Sequence, residues 1–323
     1  VRSYWCYRSG GGWLGALALL EGKQLQHTEF RLARRAVLGA LLAAPIAACA
    51  PRTPAAPAPA QGPDPALVEL ERRYDARLGL FARNAATGRT LAHRADERAA
   101  LCSTFKVYAS AALLRAHGLA GGYFDRVIRY DAGQLVEYSP ITETRVGTGM
   151  TVGELCAAAL QHSDNTAGNL LLRELGGPRA ITDFARSIGD PVTRLDRWET
   201  ELNTAVPGDE RDTSSPKALA DGLQALLLGD VLGAPERDLL TRWMLGNTTG
   251  DARIRAGVPG DWRTADKTGG GSAYGVANDF AVTWTGTGTP IVISLLTGRP
   301  RAEDAANNAL LAEATRLVVE RVA

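Results

Sequence analysis

Arg77-Leu78-Gly79-Leu80-Phe81-Ala82 and Thr90-Leu91-Ala92-His93 lie on either side of Ala86-Thr87-Gly88, so two extended runs around a turn read as a β-hairpin. Three more extended runs, Trp262–Asp266, Val276–Trp284 and Pro290–Leu296, sit near the other end of the chain. Between the two groups the apolar spacing is helical. Helices are expected over Thr104–His117, Thr151–Gln161, Asn165–Leu175, Pro178–Ile188, Pro216–Leu228 and Pro235–Leu245, the second opened by the capping box Thr151-x-x-Glu154. One helix from about Leu67 precedes the hairpin, and another from about Ala302 to Val322 closes the chain. Strands supplied by both ends around a helical middle predict a two-lobed α+β fold. An antiparallel sheet flanked by helices would take residues 67–95 and 250–323, and an inserted all-helical lobe residues 96–249, with the natural site in the cleft between them.

Composition narrows the function. The 323 residues carry 36 Lys plus Arg against 35 Asp plus Glu, so no cationic excess exists to recruit a nucleic-acid backbone, and no nucleic-acid partner is expected. Four histidines and four cysteines occur without HxH, HExxH or CxxC spacing. A zinc site therefore lacks its usual ligands, and neither a metal nor a cofactor is expected.

The front of the chain differs in kind. Residues 1–48 carry a net charge of +4, leaving −3 for the remainder. Arg34-Arg35 precedes the short apolar run Ala36–Ala44, which fits the core of an export signal and is too brief to span a bilayer comfortably. The twin arginine resembles a Tat signal. Ile46-Ala47-Ala48-Cys49 looks like a lipobox, with Cys49 as the lipidation site; cleavage around Ala48–Ala50 to release a soluble protein is the alternative. Residues 1–30 carry no signal-like pattern and read as an over-long start. Six prolines between Cys49 and Ala66 make residues 49–66 an extended spacer ahead of a globular domain at 67–323.

The candidate chemistry begins at Ser103-Thr104-Phe105-Lys106, where a hydroxyl and an amine three residues apart share one face at the start of a helix. Ser103 alone reads equally as a helix cap. Ser214-Ser215-Pro216-Lys217 has the same spacing and reads as a cap, with Ser215 followed by a proline at the first helical position. Ser163-Asp164-Asn165 and Lys267-Thr268-Gly269 complete a set whose order along the chain is that of one hydrolase family. Over roughly residues 67–323 the sequence resembles class A serine β-lactamases. A fourth element, Glu199-Thr200-Glu201-Leu202-Asn203, resembles the ExxLN motif of their Ω-loop.

The resemblance implies a serine β-lactamase or penicillin-binding-protein-like fold and a small-molecule β-lactam substrate. It also implies a monomer whose sole membrane contact is the N-terminal lipid. Ser103 would attack the lactam carbonyl, Lys106 or, through water, Glu199 would take its proton, and Ser163 beside Lys267 would serve the leaving nitrogen. The oxyanion would rest on the N–H groups of Ser103 and Gly270, and Glu199 with Asn203 would direct water onto the ester. Tyr138, Asn165, Thr268, Gly269, Gly270 and Arg253 would contact substrate, and Arg197 with Asp212 would close the loop. Arg253 enters because the strand after Lys267-Thr268-Gly269 carries Val276 where many relatives place an arginine.

Two departures stand out. Thr200 replaces the proline that many relatives have after the glutamate. Cys102 precedes the nucleophile as in carbapenem-hydrolysing relatives, but Gly271 stands where its partner cysteine would be, so Cys102 and Cys156 are expected to be separate buried thiols. The rival readings are a penicillin-binding peptidase, a slowly deacylating sensor, and a lipoprotein with a dead site.

Overall fold

The structure, a computed structural model, describes residues 64–323. The first helix and hairpin are α1 (Pro65–Tyr74), β1 (Arg77–Asn84) and β2 (Thr90–His93), followed by β3 (Ala99–Ala100) and α2 (Phe105–His117). Next come β4 (Val127–Ile128), β5 (Met150–Thr151), α3 (Val152–Gln161), α4 (Asn165–Leu175) and α5 (Arg179–Ser187). After a long loop follow β6 (Thr213–Ser214), α6 (Pro216–Leu227), α7 (Ala234–Leu245) and the short α8 (Ile254–Gly257). The chain closes with β7 (Arg263–Gly270), β8 (Ala277–Trp284), β9 (Pro290–Gly298) and α9 (Asn308–Val322).

Strands from the two ends form one antiparallel sheet in the order β2-β1-β9-β8-β7. Alternation along each strand sends side chains to two cores. Leu78, Leu80, Ile291, Ile293 and Leu295 pack with Leu67 of α1 and Leu310, Leu311 and Val318 of α9. Phe81, Phe280, Val282 and Val292 join the opposite core, which runs through α2, α3, α4, α6 and α7. Both faces are covered, so a truncation such as Phe280→Ala would cost about 3 to 5 kcal/mol. Caps set the helix starts: Asp64 accepts from Ala66 N with Pro65 behind it, Thr151 and Glu154 form the expected box, and Ser215 accepts from Ala218 N.

Two boundaries differ most from the sequence reading. The last helix begins at Asn308, because Asp304 ties Arg301 into a turn and Asn307 supplies the cap. β7 runs past Asp266 through Lys267-Thr268-Gly269-Gly270, since Ala277–Phe280 of β8 pair with that whole stretch. Its glycines hide an extended conformation that the cross-strand ladder imposes.

Candidate active site

The site lies where α2, α4, the 199–203 loop and β7 converge. A short turn, Cys102–Thr104, leads into α2 and puts Ser103 one turn before Lys106. Cys102 holds φ 48° and Ser163 φ 57°, left-handed positions that cost non-glycine residues about 1 to 3 kcal/mol each and survive only where neighbours enforce them. Asn278 does so for the first by donating to the carbonyls of Ala100 and Leu101 at 2.7 and 3.3 Å. Gly269 is required by closeness: a Cβ there would stand 2.8 Å from the Leu101 carbonyl oxygen.

Lys106 is the hub. Its Nζ lies 2.9 Å from Ser103 Oγ, 2.8 Å from the Ser163 carbonyl oxygen, 2.7 Å from Asn165 Oδ1 and 3.0 Å from Glu199 Oε1. Burial pushes the Lys106 ammonium below the ordinary lysine range, and the Glu199 charge pulls the other way. Gly168 on α4 leaves the room, because a Cβ there would come within 2.8 Å of Lys106 Cε.

Ser103 Oγ donates to Glu199 Oε1 at 3.3 Å, and Asn203 Nδ2 donates to Glu199 Oε2 at 2.5 Å. The Glu199 carboxylate thus points inward at the serine. Asn203 Oδ1 is buried without a protein partner. The glutamate backbone is held by Asn169, which accepts from Glu199 N and donates to its carbonyl, both at 2.9 Å. The peptide after Glu199 is cis. At the base of the loop, buried Asp212 accepts from Arg197 Nε at 2.5 Å and from the N–H groups of Asp196 and Arg197.

From the opposite side, Lys267 Nζ donates to Ser163 Oγ at 2.9 Å and to the Thr268 carbonyl at 2.7 Å. Burial first, and the nearby Lys106 charge second, push Lys267 far below the ordinary lysine range. Thr268 Oγ1 lies 2.5 Å from Thr249 Oγ1. Gly270 ends β7 in an exposed position, and Ser272 just beyond donates from N and Oγ to the Asn203 carbonyl. Tyr138 is 58% exposed, and the backbone of residues 137–138 accepts from Asn165 N and Nδ2.

Arg253 lies apart from this cluster. Its Nη1 donates to the carbonyls of Gly269 and Asn278 at 2.8 and 2.6 Å and its Nε to Asn308, with no hydrogen bond to Ser163, Lys267 or Thr268. Burial lowers its pKa. Cys102 and Cys156 are buried and free, burial raising both thiols, that of Cys156 to about 12. Gly271 faces Val276, whose Cβ would lie 2.9 Å from an added Cβ. His162 caps the end of α3 beside Thr248. Cys49 falls outside the described residues.

Asn169 and Asn278 were not singled out from sequence. Asn169 had a signal, lying one helical turn after Asn165 and so on the same face of α4. Asn278 had none, since its partners are about 177 positions away.

A serine, a buried lysine and an inward carboxylate in mutual contact, with a second buried lysine hydrogen-bonded to Ser163 beside them, have the make-up of a serine acyl-transfer enzyme. Residues 64–322 match the Beta-lactamase enzyme family. Beta-lactamase AST-1 of Nocardia asteroides is 56% identical over 301 residues, covering 89% of this chain and 96% of that protein. Beta-lactamase FAR-1 of Nocardia farcinica (strain IFM 10152) is 60% identical over 250 residues, covering 77% of this chain and 80% of that one. A solved β-lactamase from Desulfarculus baarsii DSM 2075 is similar with a TM-score of 0.77 at 52% identity, covering 79% of this chain and 94% of its own. The chain belongs to the β-lactamase enzyme family, among the class A serine enzymes.

Proposed function

We propose that the chain destroys β-lactam antibiotics, and so confers resistance, by forming an ester on Ser103 and hydrolysing it. Ser103 Oγ bonds to the lactam carbonyl carbon while its proton passes to Lys106 or to Glu199. Burial keeps Lys106 below its ordinary range and so makes it a better proton acceptor near neutrality. The N–H groups of Ser103 and Gly270 receive the oxyanion, the ring C–N bond breaks, and Ser163 passes a proton to the departing nitrogen while Lys267 steadies it. Thr268, Gly269, Asn165 and Tyr138 line the substrate's path, and Arg253 adds positive charge behind Gly269.

Deacylation separates this reading from a peptidase or a sensor. Glu199 takes a proton from a water held against the free acceptor Oδ1 of Asn203, and the hydroxide equivalent attacks the ester carbonyl. The observation that carries the proposal is the 3.3 Å approach of Glu199 Oε1 to Ser103 Oγ, which puts a base beside the ester it must cleave. The test is turnover of a chromogenic cephalosporin by the protein and by Ser103→Ala. A fall of about a thousandfold or more is expected for the variant. Equal turnover would overturn the proposal.

The chain ahead of the catalytic domain is read as an exported protein's leader, with Cys49 lipidated after cleavage and residues 49–66 as tether. Among the described residues no helix is long and apolar enough to cross a membrane. The mass of the mature N-terminus decides between a lipidated Cys49 and an unmodified first residue. The catalytic domain is further read as a monomer, which sedimentation checks.

A further inference from the structure

A second cavity, of about 860 Å³, has none of Ser103, Lys106, Ser163, Glu199 or Lys267 in its wall. It is bounded by the end of α1, the start of β1, the approach to β3, the 202–211 stretch and the end of β9. Its volume falls in the range of small-molecule sites. Val68 and Val206, 44% and 47% exposed, line it together with Val276 and Leu296. Among the described residues four large hydrophobic side chains are left exposed; Tyr138 stands at the active-site cleft, and two of the other three sit here.

The polar part of the wall holds two arginines without a close carboxylate. Arg98 donates to Thr213 Oγ1 at 3.0 Å and meets no carboxylate among the described residues. Arg299 has only Asp75, at 3.9 Å, and long bonds of 3.3 and 3.4 Å to backbone oxygens. Most wall carboxylates are already engaged, Glu71 by Arg94, Glu97 by Arg77 and Asp209 by Arg211. Glu210, exposed, and Asp75, which only Arg299 approaches at 3.9 Å, are the exceptions.

We propose that this cavity is a second ligand site, for a small amphiphilic anion whose apolar body packs on Val68, Val206 and Val276 and whose anionic head meets Arg98 and Arg299. Apolar contact and a charge-assisted head group act together there. The wall includes Leu202 and lacks Ser103, so the ligand rests against the residue next to Asn203 without touching the nucleophile.

The probe is 8-anilinonaphthalene-1-sulfonate, titrated by fluorescence into the full chain and into Ser103→Ala. The binding arm needs no catalysis, so its failure is distinct from failure of the proposed reaction. Saturable one-site binding is expected in both proteins. Arg98→Gln keeps a donor for Thr213 and is expected to weaken binding about tenfold. Val68→Trp fills the cavity from an exposed position and is expected to abolish binding, with circular dichroism verifying the fold. Phenylboronic acid, placed in the cleft, is expected to leave the probe's affinity unchanged. No saturation, parent-like binding by either variant, or displacement by the boronic acid would each overturn the proposal.

Discussion

Lys106 Nζ and Glu199 Oε1 lie 3.0 Å apart, and neither side chain is exposed to solvent. Burial depresses the lysine while the glutamate opposes that effect. In Glu199→Gln the opposition is gone, so Lys106 should lose its proton at a lower pH than in the parent. Single-turnover acylation followed against pH is expected to show its acid limb at lower pH in the variant. A limb moved down identifies Lys106, of the two candidate acceptors, as the titrating base, and an unmoved limb or one moved upward excludes it.

Gly168 tests how tightly Lys106 is placed. Alanine favours a helix interior over glycine by about 1 kcal/mol. The added methyl would nevertheless press on Lys106 Cε from 2.8 Å. Gly168→Ala is therefore expected to lower kcat by about a hundredfold without raising Tm. Raised stability with full activity would mean that the lysine has slack.

Asn169 supports the glutamate through two backbone hydrogen bonds. Asn169→Ala leaves both groups buried and unpartnered, at a cost of about 1 to 3 kcal/mol in unfolding free energy each. Its kinetic signature separates positioning from simple destabilisation: deacylation should slow more than acylation in burst measurements, at a temperature where the variant is fully folded.

The residues that meet at the cleft were legible because their chemistry is written in short motifs at fixed spacing, with Ser103 and Lys106 one helical turn apart and Lys267-Thr268-Gly269 as a unit. The α+β alternation was legible from periodicity. The strand character of Gly269 and Gly270 was not, because only pairing with Ala277 and Asn278 extends them. Nor was the start of α9, which an Arg301–Asp304 turn delays. The hydrogen bonds of Arg253 to the carbonyls of Gly269 and Asn278 were hidden for the same reason, its partners lying 16 and 25 positions away.

Lys267 makes a prediction about stability against pH. Its folded-state pKa lies well below that of the unfolded chain. Between the depressed value and the ordinary lysine value near about 10.4, the unfolded chain binds the extra proton, so this residue makes stability rise with pH. In Lys267→Met that contribution disappears. Denaturant unfolding at a series of pH values should show the parent gaining on the variant as pH rises through the window. A constant difference would contradict burial as the dominant cause.

The most direct test is the mass of Glu199→Ala after incubation with a cephalosporin. A covalent adduct is expected to accumulate on the intact protein and persist after the parent has cleared its own, because Ser103 still acylates and no base delivers water. Turnover equal to the parent's with no lasting adduct would contradict the central role of that carboxylate.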